Sequence, residues 1–126
     1  MKITVIGDGG WGTANAMLLC GYHHDVTLWG AFPDYVDEMR RTRRNERFLK
    51  GVELPAALKL EADCASAVKD ADIVIEAVLE RADVKHSVMK QISDAAKETA
   101  IIASNSSYMV SSTFKDDVKN HKLPED

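Results

Sequence analysis

Gly7-Asp8-Gly9-Gly10-Trp11-Gly12 follows directly on the apolar run Ile3-Thr4-Val5-Ile6 and leads into Thr13 to Leu19, a stretch rich in alanine, leucine and methionine. The order is strand, glycine turn, helix. In a G-x-G-x-x-G turn the glycines act differently, since Gly7 permits the tight turn, Gly9 lets the main chain approach a pyrophosphate, and Gly12 lets the helix pack close to the strand. The helix N-terminus, with unpaired N–H groups and partial positive charge, would then face the phosphates. Gly7, Gly9, Gly10, Trp11 and Gly12 are therefore candidate cofactor-binding residues. Glycines also make ordinary turns, and it is the strand before and the helix after that single this turn out.

The chain of 126 residues suits one domain with a real core and is short for two. Sixteen Lys and Arg against twenty Asp and Glu give a formal charge of −4, which does not point to nucleic acid or an anionic membrane as partner. Met1-Lys2-Ile3 runs straight into a strand, and no apolar run approaches the roughly 18 residues of a membrane span. A cytoplasmic protein is the expectation. Cys20 and Cys64 lie among alanines without metal-ligand spacing, so reduced thiols are expected and a metal site is not.

Beyond the first helix, which should end near Cys20-Gly21-Tyr22, Asp25 to Trp29 reads as a second strand on its β-branched and aromatic content. Pro33 suits a helix start, Tyr35 to Arg44 continues it, and Asn45 to Leu58 reads as a loop punctuated by Gly51 and Pro55. Leu58 to Glu61 alternates like a short strand, and Asp63 can cap a helix through Val68. Asp72 to Val78 is a nearly continuous apolar strand, Val84 to Ala96 an amphipathic helix, and Ala100 to Ala103 a further buried strand. Alternating strands and helices predict a single α/β domain, a Rossmann-like doubly wound parallel sheet in the order 3-2-1-4-5. Its ligand crevice lies at the carboxyl ends of the strands, where the order reverses.

That crevice would be lined by the glycine turn, by Gly30-Ala31-Phe32, by Leu79 to Arg81 and by Ser104 to Ser107. An acid at the end of strand 2 would bond an adenosine ribose and an arginine would pair a 2′-phosphate, but Gly30, Ala31 and Phe32 occupy the place. The cofactor expectation leans to NAD, with NADP open, because no arginine follows the strand immediately. Arg40, Arg41, Arg43, Arg44 and Arg47 are close enough in sequence to reach a phosphate, though a solvated helix end accounts for them as well. Glu80 would point into the crevice with Lys85 one helical turn beyond, or the two could be surface charges. Ser104-Asn105-Ser106-Ser107 offers hydroxyls and an amide for a ribose or substrate oxygen, and such residues also make turns and caps. His23, His24, His86 and His121 have no evident carboxylate partner at a useful spacing, and surface histidines account for them.

Two family resemblances sit on these residues. Met1 to Gly7, Gly9 to Ala14, Val26 to Gly30 and Arg47 to Pro55 resemble the N-terminal domain of NAD(P)-dependent glycerol-3-phosphate dehydrogenase over about residues 1–70, departing at Ala31 and Lys50. Ala71 to Glu80, Asp83-Val84-Lys85 and Ile102 to Ser107 are similar to L-3-hydroxyacyl-CoA dehydrogenase. That second resemblance implies that Glu80, Lys85 and Ser107 contact the nicotinamide end of NAD, with Ser107 also near a substrate oxygen. A change of pattern between about residues 62 and 72 suggests a chimera, engineered or recombined, with a divergent natural relative as the competing account.

A dehydrogenase also needs a base within hydrogen-bond reach of the substrate hydroxyl. The His–Glu pair and the lysine with helical domain that the two resemblances imply have no counterpart before Asp126, and His121 lacks an apolar setting. The expectation is an NAD-binding domain without its catalytic part, no catalytic residue being assigned. The alternative is an oxidoreductase completed outside this chain. Apolar residues from Tyr108 to Phe114 add the expectation of a homodimer or domain swap through the C-terminal segment.

Overall fold

Strand β1 (Lys2–Ile6) lies at the centre of a five-stranded sheet in which every neighbouring pair is parallel. The computed structural model describes residues 1–78 and 81–105. In chain order the elements after β1 are α1 (Gly10–Gly21), β2 (Asp25–Trp29), α2 (Pro33–Thr42), β3 (Arg44–Asn45) and β4 (Leu49–Glu53). They continue with β5 (Lys59–Glu61), α3 (Cys64–Val68), β6 (Ile73–Glu76), α4 (Ala82–Ala95) and β7 (Ile101–Ser104). The sheet order is β5-β2-β1-β6-β7, which is the expected 3-2-1-4-5 once the short β3 and β4 are set aside.

Successive side chains of a strand point to opposite faces, and both faces of this sheet are covered. Val5, Val26 and Leu28 pack on one face with Ala16 of α1 and with Val36 and Met39 of α2. Ile6, Val74 and Ile102 pack on the other with Cys64, Ala67 and Val68 of α3 and with Val88, Met89 and Ile92 of α4. Each fully buried aliphatic side chain contributes about 1.5–3 kcal/mol, so the helices are held by the sheet more than by their own propensity. The α3 cap is as expected, with the Asp63 carboxylate accepting from the Ser66 N–H at 3.0 Å. Cys20 and Cys64 are free thiols, and burial holds the Cys64 thiol up at about 11, so it is inert at neutral pH.

Two features differ from the sequence reading. Helix α1 starts at Gly10, inside the glycine motif, so Gly10, Trp11 and Gly12 form its first turn. Arg44, expected at a helix end, and residues 45–53, expected as loop, form the antiparallel pair β3–β4 with a register shift at Arg44/Asn45. Gly51 at φ +84° interrupts any clean alternation in β4, which hides the strand from a period-of-two reading.

Candidate functional site at the carboxyl ends of the strands

Backbone hydrogen bonds continue the sheet one step past its strands and set the crevice loops in register. Gly30 N–H donates to Glu61 O at 3.0 Å, Gly7 N–H to Trp29 O at 3.0 Å, Ala77 N–H to Ile6 O at 2.7 Å and Asn105 N–H to Glu76 O at 2.7 Å. The four segments expected to line a ligand crevice thus leave one edge of the sheet side by side. Of these, Leu79, Glu80, Ser106 and Ser107 lie outside the described residues.

The three motif glycines divide by what surrounds them. Gly7 has φ +121°, and a Cβ there would lie 2.5 Å from the Ala77 carbonyl oxygen. A Cβ on Gly12 would overlap the Gly7 carbonyl, 3.2 Å from its carbon. Both glycines are required by the fold. Gly9 is different, since its φ of −66° suits any residue and a Cβ there would meet nothing within 4 Å. The space beside Gly9 is open, and it adjoins a 12-residue helix whose N-terminus has neither a side-chain cap bond nor an acid in its first turn. An anionic group fits this cradle by geometry and by charge.

A polar lattice fixes the loop from behind. Asn45 of β3, fully buried, donates through Nδ2 to Asp8 O and to Thr13 Oγ1, each at 2.8 Å. Its Oδ1 accepts from the Tyr35 hydroxyl at 2.6 Å, and that hydroxyl accepts from the Arg47 N–H at 3.0 Å. The β3–β4 hairpin is therefore the back support of the glycine turn. Residue type alone did not mark Asn45, because a buried amide and a loop amide look the same in sequence.

Ala31 and Phe32 are exposed beyond β2, and Trp11 stands half exposed at the start of α1. These three flank the approach to the turn. The arginines do not form a single solvated face: Arg40 binds the Leu60 carbonyl through Nε at 3.0 Å and Arg43 binds the Pro55 and Leu58 carbonyls. Arg47 lies over the Tyr35 ring, 4.7 Å from its centroid.

Lys85 is a correction to one of the two sequence alternatives, because it is wholly buried and not a surface charge. From the first turn of α4 its Nζ reaches Glu76 Oε2 at 2.8 Å, and both side chains are fully inaccessible. The Glu76 carboxylate also accepts from Val78 N–H at 2.7 Å and from Ser104 Oγ at 2.6 Å. Glu76 pairs in register with Ile6 and Ser104, so this network stands at the point where the strand order reverses. The sequence showed Glu76 only as one acid in an apolar strand. His23 and His24 lie in the turn leading to the amino end of β2, at the edge of the sheet away from the crevice.

A protein-family model for the N-terminus of NAD-dependent glycerol-3-phosphate dehydrogenase matches residues 2–119. The chain belongs to this family. A glycerol-3-phosphate dehydrogenase [NAD(P)+] of Macrococcus caseolyticus is 37% identical over 115 residues, 91% of this chain and 34% of the relative. One of Syntrophomonas wolfei is 46% identical over 77 residues, 61% of this chain and 22% of the relative. The chain thus spans about a third or less of the curated relatives it matches. Among solved structures, the glycerol-3-phosphate dehydrogenase of Coxiella burnetii superposes with a TM-score of 0.83 at 25% identity, covering 98% of this chain and 39% of that one. A (S)-3-hydroxybutyryl-CoA dehydrogenase from Ralstonia eutropha superposes with a TM-score of 0.75 at 21% identity, covering 98% and 48%, a likeness of fold. Both resemblances seen in the sequence thus have structural neighbours, and a nicotinamide dinucleotide is the cofactor class of the family. Among the described residues, no helix is long and apolar enough to cross a membrane, and no group of His, Cys, Asp and Glu is arranged to hold a metal ion.

Proposed function

We propose that this chain is the dinucleotide-binding unit of a glycerol-3-phosphate dehydrogenase type protein, binding NAD across the carboxyl ends of β2, β1 and β6. The observation that carries the proposal is the open space at Gly9 beside the uncapped start of α1. The N–H groups from Gly9 to Gly12 would hold the pyrophosphate, with Gly7 shaping the turn, Trp11 beside it, and Ala31 and Phe32 toward the adenosine. The nicotinamide end would lie toward β6 and α4, where Lys85 is held by Glu76, and Glu80 and Ser107 complete that end by resemblance. When bound, the nicotinamide supplies the redox chemistry; the residues that face the crevice bind and orient it, and the buried Lys85–Glu76 pair fixes the strand ends beneath it.

Binding and turnover can be measured separately. A binding unit alone melts at higher temperature with NAD or NADH, by mass action, and oxidises neither glycerol 3-phosphate nor a 3-hydroxyacyl-CoA. Turnover above that of a Gly9→Trp control would overturn the reading as a binding unit without turnover. Absence of any thermal shift at millimolar NADH would refute the binding reading.

The family match is continuous through residues 62–72, which favours one lineage over a recombined chain. Separate comparisons of residues 1–65 and 72–115 test this, and two different families would restore the seam. Association through the C-terminal segment belongs to the same reading. Tyr108 to Phe114 lie outside the described residues, but Ile101 on β7, the last strand of the sheet among the described residues, is exposed. Sedimentation over a concentration series tests it, and a concentration-independent monomer would count against it.

A further inference from the structure

In sheets of this kind a carboxylate at the end of the second strand accepts from the adenosine ribose and repels a 2′-phosphate. Here the end of β2 carries Gly30, which is buried and has no side chain to offer. The space is filled from the neighbouring loop. A Cβ built on Gly30 would lie 3.0 Å from Asp8 Cγ and closer still to Asp8 Oδ2, so the Asp8 carboxylate stands where a strand-2 side chain would begin.

Asp8 is held there by its main chain. The preceding Gly7 N–H is tied to Trp29 O at 3.0 Å, and the Asp8 carbonyl accepts from Asn45 Nδ2 at 2.8 Å and Thr13 Oγ1 at 3.2 Å. Yet Asp8 Oδ2 is buried with no hydrogen-bond partner among the described residues. Burial pushes the carboxyl above the usual aspartate range, with its own N–H and the Arg47 charge pulling the other way. A carboxylate oxygen packed against Gly30 without a donor is costly to hold, and because Asp8 as a whole is only part-buried, a ligand donor would meet the carboxylate from its exposed side. The hydroxyls of a ribose are donors of the right kind, and a phosphate monoester, which is anionic, is not.

We infer that Asp8, from the glycine turn, replaces the missing strand-2 acid and sets the preference of this chain for a dinucleotide with a free 2′-hydroxyl over its 2′-phosphorylated form. The inference rests on the proposed dinucleotide site and names the residue that reads the adenosine ribose there. Arg47 is the rival, since a guanidinium pairs a 2′-phosphate well.

The test is the ratio of dissociation constants for NADPH and NADH, from fluorescence titration of the wild type, Asp8→Asn and Arg47→Ala, with melting temperatures to verify folding. The wild type is expected to bind NADH at least about ten-fold more tightly than NADPH, in line with a charge-assisted hydrogen bond exchanged for like-charge repulsion. Asp8→Asn keeps the shape and is expected to bring the ratio down at least about five-fold, and Arg47→Ala to leave it in favour of NADH. Binding of both forms with a ratio that Asp8→Asn leaves unchanged overturns the inference while the dinucleotide site stands. Tighter binding of NADPH, abolished by Arg47→Ala, overturns it in favour of the arginine. Binding of neither form overturns the site itself.

Discussion

Replacing Lys85 by methionine tests the buried network at the strand crossover. The substitution nearly conserves volume but removes the ammonium 2.8 Å from Glu76 Oε2, leaving a carboxylate with no solvent access and the donors Val78 N–H and Ser104 Oγ. Removing one partner of a buried ion pair costs about 3–5 kcal/mol, because the remaining charge is left uncompensated. Set against a total stability of about 5–15 kcal/mol, that is a large fraction. For a domain of this length it corresponds to a fall of roughly 10–20 °C in melting temperature. Adding Glu76→Gln to Lys85→Met removes the stranded charge but keeps an acceptor for Ser104 or Val78, so the double variant is expected to recover to within about 1–2 kcal/mol of the wild type. Urea unfolding followed by the fluorescence of Trp29, whose indole N–H is fixed to Ala62 O at 2.9 Å, reads all three proteins. A loss below about 1 kcal/mol in Lys85→Met, or no recovery in the double variant, would show that Lys85 does not compensate a buried Glu76 charge.

Other expected outcomes follow from single positions. Gly12→Ala forces two backbone segments apart and is expected to destabilise by about 1–3 kcal/mol, seen as a lower urea midpoint. His23 sits at φ +67° just past α1, so His23→Gly should stabilise by about 0.5–1 kcal/mol in the same assay. Arg43 has a similar φ of +56°, yet Arg43→Gly should destabilise because its guanidinium binds the Pro55 and Leu58 carbonyls. Asp8 has a carboxyl raised by burial, so the native state holds its proton more tightly than the unfolded chain and stability falls as pH rises through the raised value. Asp8→Asn should therefore melt higher than the wild type at pH 7, and the difference should vanish below about pH 3, where both states are largely protonated. A difference independent of pH would contradict that assignment.

The sheet order was legible because Ile3 to Ile6, Asp25 to Trp29 and Asp72 to Val78 carry strong strand signals, and the crossover rule leaves little freedom beyond them. The glycine turn was legible too, since Gly7 makes the tight turn and Gly12 packs against it, while Gly9 borders open space. What sequence could not show is which residue supports which. Asn45 is 37 residues from the Asp8 carbonyl it holds, Ser104 is 28 from Glu76, and no local pattern announces either bond. Lys85 shows the same limit, since its charge suggested surface or crevice while the fold turned it inward onto Glu76. Asp8 stood inside the motif itself, but only the missing side chain of Gly30 gives its carboxylate a place.

If the pyrophosphate lies in the open space beside Gly9, a side chain placed there excludes it. Gly9→Val places there a branched side chain whose Cβ has no neighbour within 4 Å, at a φ that suits any residue, so its melting temperature should match the wild type or exceed it slightly. Titration with NADH, followed by energy transfer from the half-exposed Trp11, should give saturable binding in the wild type and none in Gly9→Val. Equal NADH binding by the two folded proteins would show that the pyrophosphate does not lie beside Gly9.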